Sequence, residues 1–298
     1  MRRLFIGLAA SAFCALNAFA AEIDTALGPV TIDGRPETIA VYDIAAIDTL
    51  DRLGVQIDGV PDTLYLPQLS GLKDGAETVG TIFEPNLEAL SALGPDLIIV
   101  GGRSSPAIEA TRRVAPSIDM TMGGDDLLAD ARSRLAAYGA LFAVEAEADE
   151  ALRELDASVE AARKAVAGKG NALILMTSGP KISAYGVGSR FGWVHETLDL
   201  PPAVKSLDAA NHGEAVSFEF VRDADPDWLI VLDRAAAIGS GEQNAKATLD
   251  NALVTETKAW KSGQVIYIPA ADFYIAAGGV QAMGRVLAAI TEAFSHSQ

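Results

Sequence analysis

An eighteen-residue stretch occurs twice in this chain, 131 residues apart, as Asn86 to Arg103 and again as Ser217 to Arg234. At that offset Glu88 falls on Glu219, Pro95-Asp96 on Pro226-Asp227, Leu97–Val100 on Trp228–Val231, and Arg103 on Arg234. One duplication is too few for a solenoid, which needs three or more stacked units. It points instead to two related lobes, each delivering one arginine.

The 298 residues suffice for two ordinary domains. Residues 1–20 form a targeting segment, with a basic start at Arg2-Arg3, an apolar run from Leu4 to Leu16 and a small-x-small site at Ala18-Phe19-Ala20. The apolar run is too short to span a membrane. Cleavage is expected after Ala20, giving a soluble exported product. Cys14 could carry a lipid anchor, but Phe13 stands before it where a small residue is usual, and anchoring stays open. Cys14 is the chain's single cysteine, so the mature chain has no thiol chemistry and no disulfide. A net charge of −17 excludes nucleic acid as a partner.

Strand and helix patterns alternate after residue 28, which predicts α/β layers with parallel sheets. Gly28–Gly34 reads as a small hairpin, Ile39–Tyr42 and Thr81–Phe83 as strands, and Asp125–Phe142 as an amphipathic helix. Residues 145–167 lack Pro and Gly and are too long for an ordinary crossover. The expected organisation is an N-terminal α/β lobe over 21–144, an inter-lobe helix over 145–167 and a C-terminal α/β lobe over 168–298. Each lobe is Rossmann-like, with a ligand cleft between them. A single long Rossmann-like domain is the alternative.

In each copy of the duplicated unit a polar N-cap opens a short helix, Pro-Asp ends it, and an apolar strand follows. Arg103 and Arg234 come just past those strands, at the edge where open α/β sheets bind ligands. Taken singly, each could be a surface arginine; the duplication argues for the pair. Glu88 and Glu219 sit in first helical turns, where they either complement the macrodipole or form a matched pair of docking acids. Gly186-Val187-Gly188-Ser189-Arg190-Phe191-Gly192 resembles a dinucleotide loop but carries Phe191 where the third glycine belongs. Arg190 still stands beside a helix N-terminus, a good place for an anion. Of three histidines, His296 is in the tail, His195 reads as packing, and His212 lies in a loop at the cleft. Tyr274 is expected in the loop after the last strand. Phenolate and imidazole suit ferric iron whose other positions an organic chelator fills, and arginines would balance the chelate's charge.

These residues resemble the periplasmic substrate-binding proteins of ABC transporters for ferric siderophores, in the class whose lobes are joined by a rigid helix. The catecholate-binding branch is the most similar. The resemblance rests on Ser189–Gly192, His212-Gly213, Val231–Arg234, Asp250–Leu253 and Phe273–Ala276. It implies that Arg103, Arg190 and Arg234 contact catecholate oxygens. His212 and Tyr274 would complete the Fe3+ coordination of a tetradentate chelate. Glu88 and Glu219 would engage an inner-membrane permease dimer. It also implies a monomeric carrier with no intrinsic cofactor, the Fe3+-siderophore being cargo. A cobalamin or haem carrier of the same fold is the runner-up. An exported α/β enzyme is a further alternative, although there is no G-x-S-x-G elbow or zinc-binding histidine cluster.

Overall fold

A computed structural model describes residues 20–123, 126–207 and 212–296. Residues 1–19 of the targeting segment, Cys14 among them, the expected helix start at Asp125 and the loop residues before His212 lie outside the described residues. The chain opens with an antiparallel hairpin of β1 (Ala20–Thr25) and β2 (Gly28–Asp33). Gly28 is therefore not the start of a hairpin of its own, as expected, but opens that hairpin's second strand.

The first lobe holds β3 (Ile39–Val41), β4 (Gly59–Val60), β5 (Glu77–Thr78), β6 (Leu97–Val100) and β7 (Ser117–Asp119). Their order is β5-β4-β3-β6-β7, and every pairing is parallel. The second lobe holds β8 (Ala172–Ser178), β9 (Lys181–Tyr185), β10 (Glu214–Val216), β11 (Trp228–Asp233) and β12 (Val265–Tyr267), in the order β10-β9-β8-β11-β12. The duplicated strands β6 and β11 thus hold the same fourth place in both sheets. They are buried along nearly their whole length, as parallel strands covered on both faces must be.

The second sheet is not wholly parallel: β9 and β10 run antiparallel. Only Gly179-Pro180 separates β8 from β9, too short for a parallel crossover. Gly179 has φ +55, the positive value that the first position of such a two-residue turn demands. Thr81–Phe83 is likewise no strand. Thr81 Oγ1 accepts from the N–H groups of Phe83 (3.1 Å) and Glu84 (2.9 Å), which folds the segment into a turn.

Pro-Asp has the same structural use in both copies. Asp96 Oδ2 accepts from Glu37 and Thr38 N–H at the entry to β3, and Asp227 Oδ2 accepts from Asn171 N–H at the entry to β8. Each aspartate ties the duplicated strand to its central neighbour.

The inter-lobe helix runs Glu145–Val166, 22 residues or about 33 Å. Ala148, Ala151, Leu155, Val159, Ala162 and Val166 form its buried stripe at three- and four-residue spacing. Acids at its start and Arg163 and Lys164 at its end suit the macrodipole. Gly139 of the preceding helix, Leu127–Phe142, lets the two approach closely, since a Cβ there would stand 2.8 Å from Ala148 Cβ. The stripe belongs to one hydrophobic core that contains residues of both lobes. A satellite core covers the other side of each sheet.

The closing helix, Val280–His296, packs along the inter-lobe helix. Its first turn is capped from the opposite lobe by the helix Ile44–Arg52. Ala282 N–H donates to Asp48 Oδ2 (2.9 Å) and Val280 N–H to Thr49 Oγ1 (3.2 Å). Arg285 bridges buried Asp48 and Asp272 at 2.7 Å each.

Candidate functional site

The carboxyl ends of β3, β6 and β7 meet loops of the second lobe around a cleft of about 760 Å³. That volume suits a small-molecule ligand. Tyr42 and Asp43 follow β3, Arg103 follows β6 in the turn Gly102–Ala107, and Thr121 follows β7. Arg190, His212 and Tyr274 come from the second lobe.

Tyr274 is the centre of the arrangement. It ends the short helix Ala270–Tyr274 rather than sitting in a loop, because Phe273 N–H bonds back to Pro269 O and starts a turn there. Its carbonyl accepts from Arg103 Nη2 (3.0 Å) and Arg190 Nη2 (2.6 Å). Both guanidinium carbons lie 4.8 Å from the ring centroid, within cation–π range. Arg234, the first residue of the helix Arg234–Ile238, brings Nε to 3.4 Å from the phenol oxygen. Phe191, stacked on Phe273 at 4.6 Å, backs the ring.

Burial acts to raise the Tyr274 phenol, but the Arg234 hydrogen bond and the charges of Arg103 and Arg234 outweigh it and hold it below the usual tyrosine value. Burial, with the Arg103 charge next, lowers Arg190. The cleft is therefore a concentration of positive charge that favours a phenolate and an anionic guest.

Arg103, Arg190, His212 and Tyr274 line this one cleft. Arg234 does not line it; it stands behind the phenol, with Nη1 3.4 Å from Ser178 Oγ. His212 is exposed, and its carbonyl accepts from Tyr185 Oη at 2.9 Å. Glu88 and Glu219 are exposed in the first turns of the helices Leu87–Leu93 and Phe218–Ala224, away from the cleft lining. His195 is buried with Nδ1 2.9 Å from Leu200 O, and His296 is exposed near the end of the closing helix. The Gly186–Gly192 loop closes on itself: a Cβ on Gly192 would stand 2.3 Å from Gly186 O, and buried Phe191 packs against Tyr185 and Phe273. Among the described residues no cluster of three or more His, Cys, Asp or Glu forms a metal cradle. Tyr42, Asp43 and Thr121 were not expected at the site. Their signal was position alone, since each directly follows or nearly follows a strand end.

Two α/β lobes, a cationic cleft between them and one long helix joining them define a two-lobe substrate-binding protein. Residues 39–271 match the family described as periplasmic binding protein, and the chain belongs to it. It is 32% identical to the petrobactin-binding protein YclQ of Bacillus subtilis over 257 residues, 85% of this chain and 81% of YclQ. The crystal structure of YclQ superposes with a TM-score of 0.85, covering 92% of this chain and 98% of that one. The ferric-anguibactin-binding protein FatB of Vibrio anguillarum is 30% identical over 273 residues, 89% of this chain and 84% of FatB. The periplasmic catecholate-siderophore binding protein VctP of Vibrio cholerae has a TM-score of 0.85 at 28% identity, covering 92% and 99%.

Proposed function

We propose that this protein is a periplasmic carrier that captures a ferric catecholate siderophore and presents it to an ABC-transporter permease. The observation that carries this reading is the Tyr274 phenol set among Arg103, Arg190 and Arg234 at a cleft that His212 also lines. Guanidinium groups meet catecholate oxygens with charge-assisted hydrogen bonds. Fe3+ is a hard ion that accepts oxygen donors and imidazole. His212 and Tyr274 fill the two positions that a tetradentate chelate leaves open, and the lowered phenol favours the anionic donor. The iron is cargo, and the protein carries rather than transforms it. Residues 21–144 and 168–298 act as the two gripping lobes of a monomer released by cleavage after Ala20. Siderophore names among the relatives agree with this reading.

Titration with ferric bis-catecholate should quench intrinsic fluorescence and shift the visible charge-transfer band as protein donors enter the coordination sphere. The double variant His212→Ala, Tyr274→Phe should weaken a tetradentate chelate at least about tenfold, the loss of roughly one charge-assisted bond. A hexadentate chelate, already saturated, should respond far less. Equal binding of the tetradentate chelate by variant and wild type would remove direct coordination.

A further inference from the structure

Arg103 reaches from a first-lobe turn into the second lobe, giving Nη2 to Tyr274 O (3.0 Å) and Nη1 to Ile275 O (3.4 Å). The turn begins where β6 ends. β7 keeps register with β6 as far as Val100, which stands opposite Asp119. Gly102 then takes φ +52, in the left-handed region, and bends the chain just before the arginine. The neighbours of Arg103 are tied back to Asp119, which is only 2% exposed. Asp119 Oδ2 accepts from the Ser105 hydroxyl, and Oδ1 accepts from the N–H (2.9 Å) and the hydroxyl (2.5 Å) of Thr121. Thr121 Oγ1 in turn accepts from Gly102 N–H at 2.8 Å. The residue before Arg103 and the second residue after it therefore lead to one carboxylate.

No ion pair within 4 Å involves Asp119 among the described residues; hydroxyl and N–H donors meet it instead. A carboxylate only accepts, so both hydroxyls must donate to it. Having given its hydrogen to Asp119, Thr121 Oγ1 keeps only lone pairs for Gly102 N–H. An asparagine would set an NH2 against one hydroxyl and let it turn round. The duplicated unit offers a comparison, because at the 131-residue offset Gly102 falls on Asp233. Asp233 stands directly before Arg234 and holds that arginine's surroundings itself, its Oδ1 accepting from Ala236 N–H (3.0 Å) and its Oδ2 from Ala245 N–H (2.8 Å). The first lobe has a glycine at that place, and its acid comes from the adjacent strand.

We propose that Asp119 is a positioning residue for Arg103, acting through Ser105 and Thr121 to hold the arginine's turn at the ligand wall. Asp119 does not itself line the cleft, whereas Arg103 and Thr121 do. This rests on the carrier reading above for the arginine's role and adds the group that aims it. A guanidinium on a loose turn would have to be ordered when the ligand arrives. On a clamped turn that ordering is complete before binding, which favours affinity.

Asp119→Asn and Ser105→Ala test this, each made in the wild type and in Arg103→Ala. Ser105 does not line the cleft, so its loss bears on a ligand only through the turn. It decides alone should Asp119→Asn fail to fold. In fluorescence titration with ferric bis-catecholate, Asp119→Asn should weaken binding about tenfold and Ser105→Ala about threefold. In the Arg103→Ala background both factors should fall towards one, since a positioning residue acts through the residue it positions. Equal factors in the two backgrounds, or no loss in the wild type, would overturn the proposal while leaving the carrier reading intact. Should the wild type bind no chelate, the carrier reading falls, and ligand-free crystals still decide the matter. In either variant the Arg103 guanidinium should leave its 3.0 Å bond to Tyr274 O, and finding it still in place would contradict the clamp.

Discussion

Asp43 and Tyr274 show how one cleft can move two acids in opposite directions. Tyr274 is partly buried, which raises it, yet it is held below its ordinary value because the hydrogen bonds and charges of Arg234 and Arg103 outweigh burial. Asp43 is raised, because burial outweighs the hydrogen bonds and the one cationic charge that act on it. Its unfolded value is near 3.8 and its folded value about 6, so the protonated form favours the fold. The stability it contributes is complete below about pH 4 and is lost as pH rises through 6. Asp43→Asn should therefore raise the stability of the ligand-free protein at pH 7 by about 1–2 kcal/mol and hardly change it at pH 4. Thermal melts of both proteins across that range check this, and a pH-independent gap would contradict it. Little of this was legible in the sequence. Asp43 before Ile44 reads as an N-cap, and nothing local says that its second oxygen packs on Gly101, 58 residues away. Arg103 was legible because duplication marked it, whereas its bond to the Tyr274 carbonyl joins residues 171 apart.

Among the elements, those encoded by a long pattern were readable. The helix Glu145–Val166 announces itself through a long charged run without Pro or Gly, and β6 and β11 through the repeated Pro-Asp and the apolar run behind it. Elements decided by two or three residues were not. Gly179-Pro180 turned β9 antiparallel, Thr81 Oγ1 folded a strand-like triplet into a turn, and Phe273 opened a helical turn under Tyr274. The cap of the closing helix was hidden for a different reason: its donor and acceptor are 234 residues apart. Asp48 is fully buried and serves both the Ala282 N–H and Arg285. Asp48→Ala would strand a buried N–H and release Arg285 from one of its two acids. It should lower the unfolding free energy by about 3 kcal/mol in urea titration. A loss below about 1 kcal/mol, the range of exposed ion pairs, would show that the bridge is not a buried one.

For the whole molecule, the duplicated unit turns one face of each lobe inward and another outward. Arg103 reaches the cleft and Arg234 backs its phenol, while Glu88 and Glu219 stand exposed on their helices' first turns. With these two acids as the proposed permease contacts, Glu88→Lys together with Glu219→Lys should leave chelate affinity unchanged. The same variant should abolish uptake through the reconstituted transporter, the charge reversal placing like charges against the basic partner. Full uptake by the variant would dismiss that docking surface. The capping of the closing helix by Asp48 and Thr49 bears on something else, the independence of the halves. A C-terminal half made alone would contain β11, both of its neighbours and an intact sheet, yet its last helix would begin with bare N–H groups. In the whole chain Asp48 Oδ2 and Thr49 Oγ1 supply acceptors that the first turn of the last helix does not find in its own lobe. The two lobes are therefore related but not interchangeable, since the last helix of the second is capped by side chains of the first.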